Sequence, residues 1–201
     1  MKNPIVNIKI KNGKNIKIEL YPNQAPESVK NFINLINKNF YDNTGFWRVE
    51  PGKLIQGGCP ENNGIGVLGY SIKSECKSNG VNNNIQFTRG TIGYGRFEHN
   101  TESCHFFIVT KETPQLDGDF ASFGRVIDGI DEVDRISNVE TELEVFLHRA
   151  VATVYIENMT VDTFGVIYDE PNKLPGLSKK ETLDKWNSTM KERKKTGYKV
   201  V

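Results

Sequence analysis

The chain has 201 residues, enough for one well-buried domain and a short appendage. Its 26 Lys and Arg residues balance 25 Asp and Glu residues, so the net charge of +1 gives no reason to expect a nucleic acid or a membrane surface as a partner. No apolar run approaches the roughly 20 residues of a membrane span, no signal peptide is visible, and the three cysteines form no disulfide pattern, so we expect a cytoplasmic protein with reduced thiols.

The first forty residues predict a β-hairpin followed by a helix. Apolar and polar residues alternate on both sides of Asn12-Gly13, which is a strong turn signal. Pro26 then suits a first helical position, and the pattern that follows stops near Asn39. Apolar residues recur at i, i+3, i+4 and i+7, which indicates an amphipathic helix of about three turns: Val29, Phe32, Ile33 and Ile36.

Residues 46–58 are the most informative segment for function. Arg48 and Gln56 lie eight positions apart, with the turn-forming pair Pro51-Gly52 between them. This spacing predicts a second hairpin, whose arms each present one polar group to a shared surface. A guanidinium and an amide beside apolar residues suit the binding of a peptide and action on its backbone amide.

The rest of the main domain is predicted from glycine content and alternation. Residues 57–90 contain many glycines and an Asn82-Asn83-Asn84 run, so we expect a long functional loop. Strands are predicted at 93–96, 105–110 and 120–126, followed by a short helix at 130–136 and a last strand at 150–160.

The composition changes after Phe164, which predicts a main domain over residues 1–164 and a separate tail over 165–201. Three turn-forming residues mark the linker: Pro171, Pro175 and Gly176. Ser178 and Glu181 form a capping box, which predicts a helix over about 178–195. One face of this helix carries its large apolar residues: Leu183, Trp186 and Met190. The helix either docks on the main domain through Trp186 or contacts a partner or a second copy; we expect a monomer.

Several motifs, in a fixed order across residues 5–160, resemble the cyclophilin family. The motifs are Phe46-Trp47-Arg48, Pro51-Gly52, Gln56-Gly57-Gly58, residues 25–32, residues 70–75, residues 104–108, Leu116-Asp117-Gly118 and residues 123–126. The resemblance implies a mainly β protein with an eight-stranded antiparallel closed barrel capped by two helices. It also implies peptidyl-prolyl cis/trans isomerase activity on proline-containing peptides, without a cofactor or metal. The C-terminal helix is an extension outside this resemblance.

The resemblance also implies a set of site residues. Arg48 is the expected catalytic residue, because a donor aimed at the prolyl nitrogen would bind the twisted amide better than the planar one. Gln56 would hold a substrate carbonyl, and the backbone of Gly95 and Arg96 would bind the extended peptide. An apolar slot for the proline ring is implied for three residues: Phe107, Leu116 and Phe120.

Five positions of the implied site depart from the usual family pattern. Trp47 replaces His, Lys53 replaces Phe, His105 replaces Gln, Gln115 replaces Trp or Phe, and Phe120 replaces His. Because Lys53 and Gln115 replace aromatic surface, we expect reduced turnover of ordinary peptides, a preference for acidic residues near proline, and weak binding of cyclosporin.

Other interpretations stay open for individual residues. Arg48 alone could be a structural residue paired with Glu50 or Asp42, although the accompanying motifs favour catalysis. His99 and His148 lack metal-ligand spacing and are expected to be solvated. Cys59 and Cys76 could form a redox pair if the long loop brings them together. The alternative function is a proline-peptide binding module or scaffold with little turnover.

Overall fold

A computed structural model describes residues 2–144 and 147–196 of the chain. It contains eleven strands and three α-helices within this part. The strands are β1 (Ile5–Ile10), β2 (Asn15–Leu20), β3 (Gly45–Glu50), β4 (Leu54–Gly57), β5 (Tyr70–Ser71), β6 (Thr91–Tyr94), β7 (Phe106–Val109), β8 (Ser122–Asp128), β9 (Thr141–Glu144), β10 (Leu147–Asp162) and β11 (Leu174–Pro175). The helices are α1 (Pro26–Asn37), α2 (Ile130–Ser137) and α3 (Lys179–Thr196).

Eight strands form a closed antiparallel barrel, as predicted. Their order is β1-β2-β8-β6-β7-β4-β3-β10, and β10 pairs with β1 to complete the circle. Closure removes the open edges at which a sheet would otherwise pair with other chains. β9 adds a short hairpin arm to β10, and β5 and β11 form a separate two-residue ladder outside the barrel.

Helix α1 packs its predicted apolar face against the barrel core. Phe32 is fully buried and lies within 6.5 Å of the rings of Tyr41, Tyr94, Phe106 and Phe123, measured between ring centroids. Burying a side chain of this size is worth roughly 1.5–3 kcal/mol. Helix α2 contributes Val133 and Ile136 to the same core.

The long loop after β4 is fastened to the start of α1 by a buried carboxylate. Helix α1 has no side-chain cap from Ala25. The Glu75 carboxylate instead accepts the backbone N–H groups of Glu27 at 3.0 Å and Ser28 at 2.7 Å. These are donors that a helix leaves without internal partners. The loop is therefore part of the folded domain, with a short 3-10 turn at Lys77–Asn79.

The observed elements differ from the predicted ones at several places. β6 lies two residues before the predicted strand, because the chain leaves the turn at Gly90 (φ 89°) and Thr91 pairs at once with Arg125. Gly95 and Arg96 therefore lie just beyond the strand. β8 lies two residues after the predicted strand, and the last barrel strand is longer than predicted. The short strands β5, β9 and β11 were not predicted.

The tail forms the predicted helix, but its inward face differs from the predicted one. Leu183 is 42% exposed, whereas Thr182 is buried and Trp186 and Met190 pack against the barrel side chains. The docking of the helix through Trp186 is therefore observed. The boundary at residue 164 stays a prediction. Across the described residues, no helix is long and apolar enough to cross a membrane.

Candidate functional site

Strand register places three of the predicted site residues in one row across the barrel. Arg48 on β3 is opposite Gln56 on β4. Gln56 is in turn opposite Phe107 on β7, and Phe107 is opposite Gly93 on β6. Their neighbours in sequence, Val49, Ile55, Phe106 and Ile108, lie in the barrel core. Because side chains alternate between the two faces of a strand, the row lies on the outer face.

Arg48 is held by two side-chain acceptors. Its Nη1 donates to Gln56 Oε1 at 3.0 Å, and its Nε donates to Glu50 Oε1 at 2.8 Å. Glu50 is 2% exposed. The two arms of the hairpin thus meet through their polar side chains, as predicted. The ion pair with Glu50, which the sequence left as an alternative, is also present.

His148 extends this arrangement. Its Nδ1 lies 2.8 Å from Glu50 Oε2, and its backbone N–H points to Glu50 Oε1 at 3.4 Å. His148 is half-buried, with 33% of its side chain exposed, so its contact with Glu50 adds a partner to a side chain that was expected only to be solvated. The sequence did contain a signal for the contact between Arg48 and Glu50. Residues i and i+2 share a strand face, and these two residues have opposite charge. Nothing in the sequence linked residue 148 to residue 50.

Phe107 forms the floor of an apolar slot. It is 4% exposed and packs edge-on against Phe120, with ring centroids 5.8 Å apart, and Leu116 packs against the same cluster. On its other side it stacks on Phe87 at 5.4 Å. Phe87 comes from the long loop and was not predicted as a site residue. Gly93 makes room for it, because a Cβ at position 93 would lie 2.7 Å from the Phe87 ring.

Arg96 is fixed beside the slot and does not extend into solvent. Its guanidinium lies 4.7 Å from the centre of the Phe120 ring. It donates to Asp119 Oδ1 at 2.9 Å and to the Asp119 carbonyl at 2.8 Å, and it lies 3.5 Å from a carboxylate oxygen of the buried Glu102. Such a cation over an aromatic face is attracted by the ring and here also has two carboxylate partners.

A cavity of about 290 Å³ opens beside this row. Seven of the eleven predicted site residues line it: Trp47, Arg48, Gln56, Gly95, Arg96, His105 and Phe120. Phe107 and Leu116 lie in the adjoining apolar cluster. Lys53, at the turn before β4, and Gln115, exposed in the short 3-10 turn Pro114–Leu116, are outside the cavity lining. Nine of the predicted site residues therefore lie together, and Lys53 and Gln115 lie at the periphery.

Cys59 and His105 form an ionisable pair at the edge of the cavity. Burial opposes ionisation of the Cys59 thiol, but the His105 side chain and backbone N–H groups lower its pKa to about 6. The backbone N–H groups of Gly64 and Gly66 lie 3.2 and 3.4 Å from Sγ. His105 Nε2 donates to the Gly66 carbonyl at 2.9 Å, because a carbonyl can only accept.

Other potential chemistry is not supported within the described residues. Cys59, Cys76 and Cys104 are all free and buried, so the possible Cys59–Cys76 disulfide is not observed. His99 bonds to Ser78 Oγ at 2.9 Å. Among residues 2–144 and 147–196, no group of three or more His, Cys, Asp or Glu side chains is arranged to hold a metal ion.

Comparison with known proteins matches this geometry to one family. Residues 5–161 match the model of the cyclophilin type peptidyl-prolyl cis-trans isomerase family. Peptidyl-prolyl cis-trans isomerase B of Bacillus subtilis is 38% identical over 136 residues, which is 68% of this chain and 92% of that protein. A peptidyl-prolyl cis-trans isomerase of Acinetobacter baylyi is 42% identical over 146 residues, covering 69% of this chain and 74% of that protein.

Solved structures agree with the sequence relatives. The chain resembles a Cryptosporidium parvum cyclophilin type peptidyl-prolyl cis-trans isomerase, whose crystal structure was determined in the presence of the dipeptide Ala-Pro. The TM-score is 0.70 at 27% identity, with 79% of this chain and 99% of that chain covered. The family match ends at residue 161, so α3 lies outside it.

We predict that Cys59 titrates below the usual range of a thiol. The ultraviolet absorbance of thiolate should rise with a midpoint near pH 6, because the paired side chain and N–H groups stabilise the anion. The His105→Gln variant should move this midpoint upward. The Cys59→Ser variant, as the control, should lack the transition; the same transition in that variant would assign it to another group.

Proposed function

The chain belongs to the cyclophilin-type peptidyl-prolyl cis/trans isomerase family, and we propose that Arg48 is the residue through which it catalyses rotation about X-Pro bonds. The observation that supports this role is the fixed position of its guanidinium between Gln56 and Glu50, on the wall of the cavity. The rotation barrier of roughly 18–20 kcal/mol arises from amide resonance. Rotation localises the lone pair on the prolyl nitrogen. A donor aimed at that nitrogen stabilises the twisted amide more than either planar form.

Gln56 is proposed to bind a carbonyl of the substrate. Its Oε1 already accepts from Arg48, so the Nε2 donor is available for another acceptor. The Cβ position of Gly95 lies 2.9 Å from this Nε2 atom. A larger residue at position 95 would collide with the amide. The backbone of Gly95 and Arg96 is proposed to bind the extended peptide beside it.

The apolar cluster of Phe107, Phe120 and Leu116 is proposed to bind the proline ring. Its aromatic faces would hold one side of the amide while the other side turns. The substrates are then exposed X-Pro bonds in peptides and proteins. Because uncatalysed isomerisation takes tens to hundreds of seconds, we propose that the enzyme assists protein folding, as a monomer in the cytoplasm.

We expect the Arg48→Ala variant to lose about 10²-fold in kcat/KM for an Ala-Pro peptide. Losing one well-aimed donor in a water-poor site costs on the order of 3 kcal/mol. The measurement is NMR exchange between the cis and trans peptide. Arg89→Ala, which removes a surface arginine paired with Asp134, serves as the matched control. Arg48→Lys keeps a positive charge beside Glu50 and is the second variant to assay if Arg48→Ala does not fold. If folded Arg48 variants retain full activity, Arg48 is not the catalytic residue. If the wild type itself does not exceed the uncatalysed exchange rate, the chain is better described as a proline-peptide binding module.

The Glu50→Gln variant should lower kcat about tenfold with little change in KM. The amide preserves the size of the side chain but removes the charged acceptor that orients Arg48 Nε. Because Glu50 does not line the cavity, its effect should act through Arg48 and be largely absent when Arg48 is already replaced. Glu157→Gln, at a surface pair with Lys9, is the control. Additive losses in the double variant would contradict this positioning role.

Lys53 is proposed to favour substrates with an acidic residue near proline, and Gln115 to weaken cyclosporin binding. Both residues lie at the periphery of the site, so we expect a moderate charge preference that decreases with added salt. Peptides that differ only in the charge beside proline, assayed at low and high ionic strength with wild type and Lys53→Phe, measure the preference. Equal kcat/KM for acidic and neutral peptides in the wild type would refute this role.

A further inference from the structure

The C-terminal helix α3 forms one wall of the cavity that contains Arg48 and Gln56. Four residues of the helix line it: Thr182, Trp186, Thr189 and Met190. They recur at i, i+4, i+7 and i+8 and so share one face of the helix. The opposite wall belongs to the barrel and its loops. The cavity is thus continuous from the catalytic arginine to the extension that the family match leaves out.

The tail is attached to the main domain at three places near this cavity. β11 pairs with β5, and Ser71 Oγ donates to the Pro175 carbonyl at 2.9 Å. Lys179 Nζ then lies 2.8 Å from Glu61, and Lys185 Nζ lies 2.7 Å from Glu98. The two glutamates belong to different loops, each of which also contributes residues to the cavity lining. Exposed pairs of this kind contribute little energy, but together with the ladder they fix where α3 lies.

The contact between helix and barrel is apolar and aromatic. The Trp186 ring centroid lies 6.1 Å from that of Trp47, and Met190 and Leu147 belong to the same cluster. Trp47 is 4% exposed, and its Nε1 donor has no hydrogen-bond partner among the described residues. A buried N–H without an acceptor destabilises the fold.

We propose that Trp186 and Met190 form, with Trp47 and Leu147, a binding subsite for a large apolar side chain of the substrate, preferably an aromatic one. Aromatic rings supply large contact areas, and a thioether adapts to the shape of what it contacts. The ligand is therefore an X-Pro peptide with an aromatic residue on the side of proline that points towards α3. This proposal rests on the proposed function, since the subsite adjoins the Arg48–Gln56 pair.

A peptide scan tests this subsite. An alanine-rich host peptide with one proline is prepared with a single Phe at each successive position on both sides of the proline. Wild type should show, at one position only, a kcat/KM about tenfold higher than that of the all-alanine host, through a lower KM. The Trp186→Ala variant should abolish this gain, and Met190→Ala should reduce it. Leu183→Ala, on the exposed side of the same helix, is the matched control and should keep it.

Binding measurements separate failure of the subsite from failure of the enzyme activity. The chain has two tryptophans, and both lie at this cavity, so their fluorescence reports peptide binding directly. If wild type binds the Phe peptide more tightly but no peptide is isomerised, the subsite stands and the proposed activity fails. If no Phe position improves binding, or if the gain survives in folded Trp186→Ala protein, the subsite is refuted. Refutation also follows if Trp186→Ala raises kcat/KM equally for all peptides, because α3 would then only obstruct the cavity.

Discussion

The site depends on the register of four neighbouring barrel strands. The pairing of β3, β4, β7 and β6 places Arg48, Gln56, Phe107 and Gly93 side by side. A shift of one residue in any pair would turn one of these side chains towards the core. Closure of the barrel by β1 and β10 fixes the register from both directions. Backbone pairing thus positions the Arg48 donor and the Phe107 ring in the folded protein. Their side chains need no further rearrangement to lie side by side.

Within that row, the charge of Arg48 is partly offset by its neighbours. Glu50 is buried and shared with His148, so the arginine lies in a small network and is not an isolated cation. Such a network limits the rotamers of the guanidinium, which favours a defined direction for the donor. It also lowers the net positive field at the cavity wall that Arg48 forms. The carboxylate of Glu50 therefore improves the orientation of the Arg48 guanidinium while it weakens the positive field of that group. The structure favours the defined orientation.

Local patterns in the sequence predict the hairpins and the Arg48–Gln56 pair, whereas the closed barrel and the place of Phe107 were implied by the family resemblance, which rests on the order of the motifs. Alternation and the Asn12-Gly13 and Pro51-Gly52 turns are short-range signals. The partners that were missed, Phe87 and His148, come from distant segments. Phe87 lies in an irregular loop without periodicity, and His148 reaches Glu50 across 98 positions. The prediction of the inward face of α3 was partly wrong. Leu183 and Thr182 are adjacent in sequence, and only tertiary packing decides which of them is buried.

The Phe87 ring lies against Gly93, which links two residues that a position-by-position comparison would treat as unrelated. The ring occupies the space that a side chain on β6 would fill, and it stacks on Phe107, the floor of the apolar slot. A larger residue at 93 and the ring at 87 therefore exclude each other. Relatives of this chain should therefore change positions 87 and 93 together. The aromatic residues of the slot come from the long loop as well as from the strands. An inhibitor shaped for a slot without this ring would meet a different floor in this protein.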